Sequence, residues 1–120
     1  MGIMHVSVRI SSLAGKGRPY EAGFLVDTGA VDCMAPRNRL LKAGVKPERK
    51  KVYELANGEP VEHEIGFARV SFLGEETVAQ VIFGPPDAEP ILGVTALESV
   101  GIEVDPKSQR LKRLPAVRLK

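Results

Sequence analysis

A carboxylate at the end of an apolar run is the feature of this chain that most invites chemistry. Phe24-Leu25-Val26 reads as a strand buried on both faces, and it delivers the chain into Asp27-Thr28-Gly29-Ala30. An aspartate so placed is desolvated unless backbone amides or a partner charge compensate it. One use for it is catalytic. Two carboxylates brought close together do not both ionise readily, so one keeps a proton and the pair can serve as general base and general acid on one water. This chain would supply one of the two. Thr28 would then hydrogen-bond across a two-fold axis, Gly29 would let backbone amides approach the carboxylate, and Ala30 would leave room for substrate. The competing use is structural: a turn that Asp27 caps by accepting from a following amide.

Other reactive side chains are read as structural. Asp32 is a turn carboxylate or a substrate contact, and not a catalytic group. Cys33, beside apolar Met34, is expected to be a buried and inert thiol, since no histidine is close in sequence to activate it. His63, between Glu62 and Glu64, reads as a solvated strand residue without a catalytic partner, and His5 reads the same way. Asp105-Pro106 has the composition of a turn, and Glu75-Glu76 that of a solvated tip. One cysteine excludes an intramolecular disulfide, and two histidines far apart cannot assemble zinc-ligand spacing, so no metal and no cofactor are expected.

Hydrophobic residues at 43% and charged residues at 27% of 120 describe a soluble globular chain of one domain. A cleft that needs two lobes must therefore come from two chains. No apolar stretch approaches the roughly eighteen residues of a membrane helix, and Met1-Gly2-Ile3-Met4-His5 lacks a signal peptide's basic start and apolar run. The expected compartment is the cytoplasm, with no membrane partner. The net charge of +2 hides a segregation. Residues 37–51 hold seven basic side chains against Glu48, residues 54–103 hold ten acidic ones against Arg69, and residues 107–120 hold six basic groups and no acidic one. No aromatic residue interleaves these clusters to stack on bases, so they read as solvated surface and against nucleic acid.

The elements that must position Asp27 are short. Val6 to Ile10 alternates with period two, residues 15–19 turn the chain, and Tyr20 to Val26 runs back as the second strand of a hairpin. Pro36 is placed to open a short helix through Ala43, with Leu40 and Leu41 facing inward and Gly44 closing it. Val52 to Leu55 and Val61 to Ile65 flank Asn57-Gly58, a strong hairpin signal. Ala68 to Leu73 and Thr77 to Phe83 are further strands joined around Gly74, and Ile91-Leu92-Gly93 is a short buried one. Thr95 and Glu98 have capping-box spacing for a second helix that Gly101 would end. Ile102 to Val104 and Arg110-Leu111 flank a last turn.

The run Phe24 to Ala30, the Met34-Ala35-Pro36 element, the Asn57-Gly58 hairpin and Ile91-Leu92-Gly93 before a short helix resemble, in order and spacing, the retropepsin-like aspartic proteases. Residues 91–98 and Val104-Asp105-Pro106 look like the small single-domain bacterial and archaeal members. The resemblance implies a mainly β chain, a closed retropepsin-like barrel with two short helices and one pepsin-like lobe per chain, over residues 1–114, followed by a basic tail at 115–120. It implies a homodimer in which Asp27 of each subunit forms the dyad, Thr28 interlocks the catalytic loops, and Gly29 with Ala30 holds a peptide backbone. The tip at Asn57 and Gly58 maps to the flap that closes over substrate, with Tyr53 lining the cleft. Ile91-Leu92-Gly93 would buttress the catalytic loop from beneath.

The activity so implied is that of an aspartic endopeptidase, whose rate falls when the shared proton is lost at high pH. A different class stays open, a catalytically silent dimeric module of the same fold that binds partners. A third reading, binding of nucleic acid by the basic tail, would be strongly salt-dependent.

Overall fold

A computed structural model describes residues 4–117 and 119 of the chain. The chain is mainly β with two short helices, and its strands follow the apolar periodicity closely. In β1 (His5–Ser11) every second side chain, Val6, Val8 and Ile10, is buried, while His5, Ser7 and Arg9 point outward. β2 (Tyr20–Asp27) returns antiparallel to it, with Val8 opposite Ala22. β3 (Cys33–Pro36), α1 (Arg37–Lys42) and β4 (Arg49–Glu54) follow.

β5 (Pro60–Phe72) is one strand of thirteen residues. The sequence reading divides it at Gly66, and the structure corrects that division. A Cβ at Gly66 would lie 2.4 Å from the Lys46 carbonyl oxygen, so the glycine serves a close backbone approach within a continuous strand. β5 joins β6 (Glu75–Gly84) through Leu73 and Gly74, both at positive φ (51° and 79°), the geometry of a tight two-residue hairpin. β7 (Ile91–Gly93), α2 (Val94–Ser99) and the paired β8 (Ile102–Val104) and β9 (Leu111–Arg113) complete the chain.

The large sheet has the order β1-β2-β7-β3-β6-β5-β4, and β1 also pairs with β5, so β1 is bonded along both edges. At the centre, β7 runs parallel to β2 and antiparallel to β3, with Met34 opposite Ile91. These pairings enclose a core of Ile10, Phe24, Val70, Val81 and Leu92, onto which α1 sets Leu40 and α2 sets Ala96 and Leu97.

The helices differ in detail from expectation. Pro36 ends β3 and stands at the N-cap, so α1 begins at Arg37. Leu40 is fully buried but Leu41 is 45% exposed, because successive helical residues lie about 100° apart and a single turn packed on one side buries only one of them. The Thr95 and Glu98 capping box does not form. Gly93 is the N-cap of α2, without a side-chain cap. The Val94 and Thr95 amides instead donate to the carbonyls of Ala30 (2.8 Å) and Val31 (3.2 Å), so the loop after Asp27 supplies the cap.

Among the described residues no helix is long and apolar enough to cross a membrane. Met1 to Ile3, and Arg118 and Lys120 of the basic tail, lie outside the described residues. The charge blocks separated in sequence meet in space. Lys50 lies 3.8 Å from Glu62 across the β4–β5 ladder, and Arg37 pairs with Glu64. Such exposed pairs contribute little stability, but they consume part of the basic cluster.

Candidate active site

Asp27 is the last residue of β2, paired in register with Gly93 of β7. The strand that leads to it is not buried on both faces as expected. Phe24 is fully buried in the core, Leu25, Val26 and Asp27 are half-buried because the core meets only one side of the strand here, and Thr28 and Gly29 are exposed. Asp27 Oδ1 accepts the Gly29 amide at 2.9 Å, and the Asp27 carbonyl accepts the Ala30 amide at 3.1 Å. A Cβ at Gly29 would sit 3.2 Å from Asp27 Oδ1, so glycine eases that approach. The structural turn foreseen for these residues is therefore formed. Its carboxylate has an oxygen, Oδ2, outside that bond, where β2 passes into the exposed Thr28 and Gly29.

The loop has a firm underside. Gly93 packs against it so closely that a Cβ there would fall 2.5 Å from the Asp32 carbonyl oxygen. Together with the α2 amides on Ala30 and Val31, this makes Gly93 and the start of α2 the platform on which residues 30–32 rest.

Beside the loop stands the β4–β5 hairpin. Its tip is a three-residue loop, closed by the Leu55 amide on the Glu59 carbonyl and the Gly58 amide on the Leu55 carbonyl, both at 2.8 Å. Gly58 takes φ +86°, and Asn57 Oδ1 accepts the Glu59 amide at 3.0 Å. Asn57 and Gly58 are exposed. Tyr53 lies lower on β4, half-buried, with its ring centroid 6.2 Å from that of His63.

The Tyr53 hydroxyl donates to Asp32 Oδ2 at 2.6 Å. Asp32 is only 6% exposed, and it also accepts Gln80 Nε2 at 3.3 Å and Lys51 Nζ at 3.4 Å. Burial, then the hydrogen bond and charge of Asp32, push the Tyr53 phenol well above its ordinary value, so it remains a proton donor. Sequence reasoning placed Asp32 in a turn and missed this cluster, because Lys51, Tyr53 and Gln80 reach it only through the fold. The available signal was its position directly before the apolar Cys33-Met34-Ala35, where a charge needs partners.

Cys33 is 1% exposed, and burial foremost raises its thiol from 9.0 to about 11, against a smaller lowering by its hydrogen bond with the Gly93 backbone. At pH 8 its thiolate fraction should be about a hundredfold below that of a free cysteine, and a thiol reagent should label the native chain correspondingly more slowly than the urea-unfolded chain. Rapid native labelling would contradict the burial. Stability carries the same sign: the Cys33 contribution is fully present below the unfolded value near 9.0 and is lost as pH rises through about 11. His5 is exposed and lies 3.5 Å from Glu89, and Asp105 Oδ1 accepts the Lys107 amide within its turn. Among the described residues no three of His, Cys, Asp and Glu are grouped to hold a metal ion.

No family model matches the sequence, and no curated protein matches it. Among solved structures, the solution structure of simian foamy virus (mac) protease superposes with a TM-score of 0.55 at 15% identity, covering 78% of this chain and 91% of that one. The fold is retropepsin-like. That likeness concerns the backbone course. In this fold, Asp27-Thr28-Gly29 occupies the turn between the end of β2 and the Gly93 support, with a hairpin alongside.

Proposed function

We propose that the chain is an aspartic endopeptidase that works as a homodimer of single, closed retropepsin-like lobes, each contributing Asp27 to one dyad. The observation that carries this reading is the placement of Asp27-Thr28-Gly29. A carboxylate ends a strand anchored in the core by Phe24 and leads into an exposed loop that is held from below by Gly93 and by the α2 amides. A turn that only closed a strand would need no such support.

In the dimer, one Asp27 takes the proton from water as the water oxygen attacks the scissile carbonyl. The other, protonated, hydrogen-bonds the carbonyl oxygen, and the tetrahedral species collapses as a proton passes to the leaving nitrogen. The acid's proton goes to the leaving nitrogen, the base keeps the proton drawn from water, and the second water proton leaves on the new carboxyl group, so the dyad again holds one proton with its two roles exchanged. No metal, cofactor or covalent intermediate enters. Thr28 joins the two loops across the axis, Gly29 and Ala30 hold the substrate backbone, and the Asn57–Gly58 tip closes over an extended peptide. Tyr53 borders that cleft from β4.

Because one chain holds half the dyad, activity should follow the dimer fraction. Cleavage of a mixed peptide library, measured across protein concentration with sedimentation mass on the same samples, should rise with nearly the square of concentration while monomer predominates. Specific activity that stays constant as the mass falls to that of a monomer would overturn the reading.

A further inference from the structure

Asp32 is a buried charge that the proposed chemistry does not use. Burying a carboxylate is costly unless it is paired and hydrogen-bonded, and the donors that compensate this one come from outside its own loop. Two lie on the first strand of the hairpin, Tyr53 at 2.6 Å and Lys51 at 3.4 Å. The third, Gln80 of β6, reaches both carboxylate oxygens at 3.3 Å, and its own side-chain oxygen accepts from Arg49 of β4 at 3.1 Å. The Lys51 ammonium also lies 5.2 Å from the centre of the Tyr53 ring, so the cation neutralises Asp32 and packs on its partner.

Among the described residues β4 is the edge strand of the large sheet, paired with β5 alone. Its ladder with β5 runs to Glu54 opposite Pro60, and beyond it the Leu55 amide on the Glu59 carbonyl closes the tip. Backbone pairing therefore holds β4 to β5, and what ties β4 to the loop after Asp27 is side-chain contact with Asp32. On the other side, the backbone of residues 30–32 is held by Gly93 and by the Val94 and Thr95 amides. Asp32 joins these two halves.

We infer that Asp32 is a positioning residue whose buried carboxylate, through the Tyr53 hydroxyl, latches the first strand of the hairpin onto the loop that carries Asp27, so that the hairpin opens only beyond Tyr53. Lifting β4 at Tyr53 would strip the shortest hydrogen bond from a desolvated carboxylate, whereas the exposed residues 54–60 can move without touching it. With Tyr53, Gln80 and Lys51 on it, Asp32 is committed to the protein rather than to a ligand. The catalytic consequence rests on the proposed endopeptidase reading, and the mechanical one does not.

Tyr53→Phe keeps the ring and removes the hydroxyl. Amide hydrogen exchange on the full chain, read by NMR, should become about tenfold faster or more at residues 52–61 and stay unchanged at 68–72 and 77–82. Asp32→Ala should reproduce the pattern, and the double variant should exchange no faster than the faster single variant, since both remove one latch. If Asp32→Ala does not fold, the selective effect of Tyr53→Phe decides alone. Unchanged rates at 52–61, a uniform acceleration through all strands, or additive effects in the double variant would overturn the inference. When wild type cleaves peptide, Tyr53→Phe should raise KM several-fold with kcat little changed; a change in kcat alone would count against positioning of the hairpin. When wild type cleaves nothing, the endopeptidase reading fails while the exchange pattern still decides the latch.

Discussion

Asp27→Asn should abolish peptide cleavage, by at least about a thousandfold in kcat/KM, while leaving fold and dimer mass intact. Asparagine has nearly the same shape, and its side-chain oxygen can still accept the Gly29 amide that Asp27 Oδ1 accepts at 2.9 Å, so the turn survives. What is lost is a group that can take a proton from water or return one. A thousandfold corresponds to about 4 kcal/mol of transition-state stabilisation at 1.4 kcal/mol per tenfold, far beyond what a small shift of an exposed loop would produce. The dyad adds a sharper expectation. When wild type and variant are co-refolded in equal amounts, random pairing leaves about a quarter of the dimers with two aspartates. Activity should therefore fall to about a quarter, and a fall to one half would mean that each Asp27 works alone. Full activity in the pure variant would remove Asp27 from the chemistry altogether.

The parts of this molecule that were legible in the sequence are those decided locally. Val6, Val8 and Ile10 declare their buried face by alternation, Asn57-Gly58 declares the hairpin tip, and Asp27 stands out because it follows Phe24-Leu25-Val26. What was illegible is decided by distant partners. Gly66 reads as a strand end until the Lys46 carbonyl is found where its Cβ would be. Thr95 and Glu98 have the spacing of a cap, yet carbonyls of Ala30 and Val31 already satisfy the α2 amides, so the side chains are not needed. Asp32 illustrates the limit most clearly, since its partners sit at positions 51, 53 and 80 and come together only once β4 and β6 flank the loop. Local chemistry thus exposes the candidate nucleophile activator, while the devices that hold it in place depend on the tertiary course of the chain.

Gly93→Ala should be the most disruptive single-methyl change near the site, and Gly23→Ala its control. At Gly93 the added Cβ would meet the Asp32 carbonyl oxygen at 2.5 Å, the Asp32 carbonyl carbon at 2.6 Å and the Val31 carbonyl oxygen at 2.8 Å. All three are backbone atoms, so no side chain can rotate away, and relief requires β7 and the loop to separate. Overpacking of this kind costs about 1–3 kcal/mol and occasionally more, and the rigid surroundings place Gly93→Ala at about 3 kcal/mol. Separation would also pull the Val31 and Ala30 carbonyls from the α2 amides and shift Asp27, which pairs with Gly93. NMR shifts should therefore change across residues 27–32, and activity should fall by more than the unfolded fraction explains. Gly23 lies on β2, four residues before Asp27, with nothing within 4 Å of its added Cβ. There alanine restricts the unfolded chain without a clash, so stability should hold or rise by about 0.5 kcal/mol. Urea unfolding of both variants isolates the contact from the chemistry of the substitution, which is identical. Equal midpoints would show that β7 does not bear on the loop, and the support assigned to Asp27 would fall with it.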